Sequence, residues 1–199
     1  MTSVAGSSGT MAAPESVRVV IAGGGTGGHL FPGIAVAREI QSRVPDSQVS
    51  FVRTSRGIEA RVVPLEGFAL DLIRSSGIKG KSIRARAQGV ALLPLSLSTP
   101  GRFYRSGGLN LVIGVGGYSS GPVVLVAAAR RIPTMLLEQN AVPGLTNRLL
   151  APFSRAVAVS FESTRALFGA KAFLSGNPVR PEFLSPVDRI EPEKVANSV

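Results

Sequence analysis

Val17-Arg18-Val19-Val20-Ile21-Ala22-Gly23-Gly24-Gly25-Thr26-Gly27-Gly28-His29 is the stretch that decides the fold. Its first six residues are almost continuously apolar and rich in Val and Ile, the pattern of a parallel strand buried on both faces. Beyond the glycines, Val36, Ile40 and Val44 recur at four-residue spacing with Ile34 and Ala37 beside them, which predicts a helix over Pro32–Val44. A strand, a glycine turn and a helix in that order point backbone N–H groups and a positive dipole end at one place. Anions, phosphates above all, bind there. The turn therefore suits a phosphorylated ligand.

Neither of two common phosphate loops matches well: an NAD site is disfavoured, an NADP site stays open, and a Walker loop is excluded. Gly23, Gly25 and Gly28 satisfy G-x-G-x-x-G, but a nicotinamide site also needs an acid after the second strand to hold the ribose. That strand falls at about Gln48–Val52, and Arg53, Thr54 and Ser55 follow it. An ATP-type loop needs Lys and then Ser or Thr after its last glycine. Here His29 and Leu30 stand instead.

Short β-type runs alternate with helical stretches along the rest of the chain. Strands are expected near 17–22, 48–53, 69–73, 110–114, 134–138, 156–160 and 171–175. Helices are expected over Pro32–Val44, Gly57–Glu66, Ser82–Leu93, Pro122–Arg131, Gly144–Leu150 and Glu162–Leu167, with Pro94 and Pro100 breaking the third. The alternation predicts an α/β fold: a doubly wound, mostly parallel, Rossmann-like sheet of about seven strands. Ligands of such sheets bind beyond the carboxyl ends of the strands. Four loops there are unusual in composition: Gly23–His29, Gly114–Pro122, Glu138-Gln139-Asn140 and Gly176–Arg180.

Three segments are expected: residues 1–16 as a small, polar lead-in without signal-peptide character, 17–184 as the domain, and 185–199 as a linker remnant or tail. Hydrophobic residues make up 44% of the 199, enough for a globular core, and the absence of Cys rules out disulfides and thiolate metal sites. No apolar run approaches the ~20 residues needed to cross a bilayer. The net charge of +10 is uneven: between Leu72 and Leu137 there are nine Lys or Arg and no acid. Seven of these, Arg74, Lys79, Lys81, Arg84, Arg86, Arg102 and Arg105, flank the apolar run Val90–Leu97. A buried helix with a solvated basic face is one reading. Nucleic-acid binding is disfavoured, since Phe103 and Tyr104 are the region's aromatics and no stacking motif accompanies them. Contact with an anionic membrane surface, through Lys79, Lys81, Arg84, Arg86, Leu93, Leu97, Arg102 and Phe103, fits an apolar run ringed by basic groups best.

Five motifs occur in order: G-G-T-G-G-H-x-x-P-G-x-A-x-A from Gly24, S-G-x-x-G-K from Ser76, G-G-Y-x-S-G-P from Gly116, E-Q-N-x-x-x-G-L-T-N from Glu138, and G-N-P-V-R from Gly176. Together they resemble the N-terminal half of the bacterial UDP-N-acetylglucosamine:N-acetylmuramyl-(pentapeptide)-pyrophosphoryl-undecaprenol N-acetylglucosaminyltransferases (glycosyltransferase family 28, GT-B arrangement). The resemblance covers about Val17 to Phe183. It implies transfer of N-acetylglucosamine from UDP-N-acetylglucosamine to the 4-hydroxyl of undecaprenyl-pyrophosphoryl-MurNAc-pentapeptide, with inversion, in peptidoglycan synthesis. It implies no metal and no cofactor, and a peripheral location on the cytoplasmic face of the bacterial plasma membrane.

By position the resemblance assigns Thr26, Gly27, Gly28, Asn140 and Arg180 to the donor, and Gly116, Gly117, Tyr118 and Asn147 to the acceptor. It makes His29 the candidate base and Glu138 a second catalytic group. Competing readings stand beside these roles. His29 could instead cap its helix or touch an acceptor phosphate. Tyr118 could be a packed loop aromatic, Glu138 half of an ion pair, Asn140 a turn residue and Asn147 a helix-surface residue.

The sequence departs from the family twice. Leu137 stands where the family commonly has His before Glu138. The chain also stops where the family continues into a second, donor-gripping domain, so activity is expected to need a C-terminal half, fused or separate. A non-catalytic, membrane-associated scaffold subunit that recruits a partner chain is the alternative.

Overall fold

The computed structural model describes residues 16–53, 57–72, 108–117 and 119–180. The basic region with its eight expected membrane contacts, the helix expected over Ser82–Leu93, Tyr118, the lead-in before residue 16 and the tail lie outside the described residues.

All seven expected strands form: β1 (Arg18–Ala22), β2 (Gln48–Arg53), β3 (Ala69–Leu72), β4 (Leu109–Gly114), β5 (Thr134–Glu138), β6 (Ala156–Val159) and β7 (Ala172–Leu174). They make one sheet in the order β3-β2-β1-β4-β5-β6-β7, and every pairing is parallel. Between them lie α1 (Gly27–Arg43), α2 (Glu59–Leu65), α3 (Ser120–Ala129), α4 (Leu145–Leu150) and α5 (Glu162–Phe168).

The two-residue period of β1 builds both halves of the core. Val19 and Ile21 point to one face, against Leu30, Ile34 and Ala37 of α1, Val63 of α2 and Phe51 of β2. Val20 and Ala22 point to the other, against Val123, Val124 and Ala127 of α3 and Leu150 of α4. A strand covered by helices on both sides must be apolar throughout, and this one is. Leu137, the departure from the family pattern, is buried with Ile113, Val115 and Ala158. Its side chain is core, and only its backbone takes part in the site.

Helix α1 begins five residues before its expected start. Thr26 is extended, at φ −137° and ψ 157°, and the helix runs on from Gly27 with Pro32 inside it. Glycines at 27 and 28 are poor helix formers. Full burial of Leu30 and Ile34 against the sheet outweighs that local preference. Pro32 then lacks the N–H that would reach the Gly28 carbonyl.

Candidate active site

The strand order reverses between β1 and β4: the chain winds outward through β2 and β3, then returns to the other side of β1. In doubly wound sheets a crevice opens at this switch point, outside the carboxyl ends of the two strands. The loops that bound it here are the first two glycine loops.

These loops pack directly on each other. The Val115 amide donates to the Ala22 carbonyl at 2.9 Å. Gly116 and Gly117 have φ of +91° and +78°, a region that L side chains rarely adopt. A Cβ on Gly117 would run into the Gly24 carbonyl oxygen, and one on Gly116 would lie 2.8 Å from Cδ2 and 3.0 Å from Nε2 of His29. The imidazole edge therefore lies over the backbone of the second loop. His29 is half-buried at the mouth of the crevice, not turned into the core. Its Nδ1 is 2.9 Å from Thr26 Oγ1. When Nδ1–H donates to that hydroxyl, Nε2 carries the lone pair and faces the second loop.

Replacing Gly117 with Ala is expected to lower stability by about 2 kcal/mol or more, from backbone strain together with the overlap on Gly24. Gly67 is the control, since it has a similar φ of +82° but open space where a Cβ would go. Thermal denaturation should show a clearly smaller loss for Gly67→Ala. Equal losses would mean that the two loops do not depend on their contact.

The third loop is organised around Glu138, which is 1% exposed. Its Oε1 accepts from the Asn140 amide at 3.0 Å and from Asn140 Nδ2 at 2.9 Å. Its Oε2 accepts from the Gly144 amide at 2.9 Å and from Asn147 Nδ2 at 3.0 Å. Both oxygens are committed inward, so this carboxylate shapes a loop and does not front open space. Asn147 is 2% exposed, not on a helix surface. It donates also to the Leu137 carbonyl at 3.0 Å, and its Nδ2 lies 3.8 Å from the position a Gly116 Cβ would take. Thr164 of α5 holds the carbonyls of Asn140 and Ala141 at 3.1 and 2.8 Å, leaving Asn140 exposed at the loop surface. Gln139 Nε2 donates to the Val115 carbonyl at 3.4 Å and joins this loop to the second.

Thr26, Gly27, Gly28, His29, Gly116, Gly117, Glu138, Asn140 and Asn147 thus gather at three interlocked strand-to-helix corners, at the carboxyl ends of β1, β4 and β5. Arg180 arrives differently. The chain after β7 crosses back from the far edge of the sheet, and the Arg180 guanidinium lies over the Phe31 ring, 4.7 Å from its centre. Its Nη1 is 3.6 Å from Glu66, a carboxylate that also pairs with Arg38. Phe31 itself packs beside Gly27.

Sequence reasoning missed Glu59 and Thr164, and it marked Gln139 as part of the third loop without giving it a role. Glu59, 3% exposed, opens α2 and sends its carboxylate into the first glycine loop, where Oε1 accepts from the Gly25 amide. The Gly25 N–H expected to greet a phosphate is therefore already engaged. The amides beyond it, at the start of α1, are the ones left for an anion. An acid in a helix's first turn reads as an ordinary complement to the helix dipole, which is why the sequence did not mark it.

No group of His, Cys, Asp and Glu that could hold a metal ion occurs among the described residues. A groove lined by Arg148, Pro152, Leu167, Phe168 and Lys171 lies at the amino ends of β6 and β7, away from the glycine loops.

Comparison with known proteins agrees with this fold. Residues 19–159 match the model of the glycosyltransferase family 28 N-terminal domain. The UDP-N-acetylglucosamine--N-acetylmuramyl-(pentapeptide) pyrophosphoryl-undecaprenol N-acetylglucosamine transferase of Anaeromyxobacter sp. (strain Fw109-5) is 50% identical over 165 residues, covering 82% of this chain and 43% of its own. The enzyme of the same name from Pelobacter propionicus is 48% identical over 169 residues, 84% of this chain and 45% of its own. Among solved structures, Acinetobacter baumannii MurG superimposes with a TM-score of 0.66 at 26% identity, over 86% of this chain and 47% of that one. A UDP-GlcNAc 2-epimerase from Neisseria meningitidis, at 16% identity and a TM-score of 0.55, shares the fold. The chain spans less than half the length of the curated relatives it matches. It belongs to glycosyltransferase family 28, of whose N-terminal domain it carries the fold.

Proposed function

We propose that this chain is the acceptor-binding half of an inverting transferase that moves N-acetylglucosamine from UDP to the 4-hydroxyl of undecaprenyl-pyrophosphoryl-MurNAc-pentapeptide. The observation that carries the reading is the packing of His29 over Gly116 where the two glycine loops meet. In this reading Gly116, Gly117 and Tyr118 frame the acceptor, and the buried Asn147 supports that wall from behind Gly116 without facing the acceptor. Thr26, Gly27, Gly28, Asn140 and Arg180 meet the donor as it is brought to the crevice. The acceptor oxygen attacks the anomeric carbon from the face opposite UDP, the bond to UDP breaks, and His29 Nε2 takes the hydroxyl proton. Thr26 holds the ring through Nδ1, and Glu138 keeps the third loop in shape without touching the reacting atoms. The half acts at the cytoplasmic face of the membrane, held peripherally by the basic and apolar residues between 79 and 103. Among the described residues no helix is long and apolar enough to cross a membrane.

The chain alone is expected to release no UDP from UDP-N-acetylglucosamine in the presence of lipid acceptor. Adding the C-terminal half of the Anaeromyxobacter relative, as a fusion or a separate chain, should restore transfer. Full turnover by the 199 residues alone would overturn the half-enzyme reading. Vesicle binding without transfer in either format would favour the scaffold reading instead.

A further inference from the structure

We propose that Glu59 is a positioning residue of this site: its carboxylate holds the Gly25 amide and thereby fixes the line along which Thr26 and His29 enter the crevice. The inference deepens the reading of the crevice given above and rests on it.

Three observations on separate residues converge. The Glu59 carboxylate is buried at the start of α2 and accepts the Gly25 N–H through Oε1, while Oε2 is buried with no hydrogen-bond partner among the described residues. A buried carboxylate with so few donors is an expensive way to fill space, and an apolar side chain would serve packing better. The backbone on both sides is also cut away to admit it. A Cβ at either Gly24 or Gly57 would overlap the carboxyl group, and the two residues have φ of +141° and +152°. Glycines on two different loops leave room for one acid.

What the acid holds leads straight to the imidazole. Gly25 is the last residue of the positive-φ turn formed with Gly23 and Gly24, and Thr26 after it is extended before α1 begins. Thr26 Oγ1 meets His29 Nδ1 at 2.9 Å, and His29 lies over Gly116. Glu59, Gly25, Thr26, His29 and Gly116 form one line of contacts from α2 to the second glycine loop. Glu59 touches no reacting atom in this scheme, so it acts through the loop.

His29 is the sole histidine of the chain, so its imidazole gives a single set of ring signals in a magnetic resonance spectrum. The 199-residue chain should be compared with E59Q, E59D and E59A. Glutamine can still offer an oxygen to Gly25, so E59Q should leave the imidazole signals and Gly25 amide exchange close to those of the parent. Aspartate is one methylene too short and alanine offers no acceptor. Both should shift the imidazole signals and speed Gly25 exchange about tenfold or more. With a donor half added, E59D and E59A should lower kcat more than they raise KM, and E59Q should recover most of the loss. Unchanged ring signals and unchanged Gly25 exchange in E59D would overturn the proposal, as would an E59Q chain disturbed as much as E59A. Should E59A fail to fold, the contrast between E59D and E59Q decides alone. Absence of transfer in every chain, the parent included, would sink the transferase reading while the imidazole signals still judged Glu59.

Discussion

Glu138→Gln is expected to destabilise the chain nearly as much as Glu138→Ala, by about 3 kcal/mol in each case. The near-isosteric exchange fails because all of the partners are donors: the Asn140 amide, Asn140 Nδ2, the Gly144 amide and Asn147 Nδ2. A glutamine must turn its own NH₂ toward one of these pairs, whichever way the amide is flipped. Asn147 could relieve part of the conflict by rotating its amide, because its Oδ1 has no partner among the described residues, but it would then give up the bond to Leu137. Chemical denaturation of the two variants measures the effect. Parent-like stability of E138Q would mean that the carboxylate is not what holds the loop. The contrast with Glu59 is instructive. Where one N–H meets one oxygen an amide can substitute, and where four N–H groups surround two oxygens it cannot.

The second large effect concerns chemistry. In the chain supplied with its donor half, His29→Ala should lower kcat by about 100- to 10,000-fold, the range for loss of a general base. KM should move far less, because the ring contributes little to holding either sugar. His29 is half-buried and, among the described residues, its ring is hydrogen-bonded locally to Thr26, so the melting temperature should fall little. Steady-state UDP release at saturating acceptor separates the two effects. A variant that kept more than about a tenth of the parent kcat would leave the imidazole as a cap or a phosphate contact.

The sheet was legible because its strands are short apolar runs set apart by helical stretches, and each of the seven fell within two residues of expectation. Helix ends were less legible. Glycines at 27 and 28 hide the start of α1, since what forms that first turn is the burial of Leu30 and Ile34 against strands far along the chain. The glycine loops announced a crevice, and two of them do meet at the switch point. The neighbours of a buried acid were not legible. Asn147 looked like a helix-surface residue because nothing in a linear pattern says that Glu138, nine positions earlier, would fold back and receive it. Glu59 looked like a first-turn acid for the same reason: the glycines that accommodate it belong to different loops. Residue type and spacing report periodic packing well, and they report a single contact across loops poorly.

Arg180 sits on Phe31 next to Gly27, so the last described residue lies beside the opening between the first two loops, not at the distant rim where β7 ends. For a covalently joined companion this makes docking a tethered event, with a local concentration in the millimolar range for a short flexible leash. Such a companion would need scant intrinsic attraction for the crevice. The same companion offered as a free molecule would have to make up that shortfall through dose.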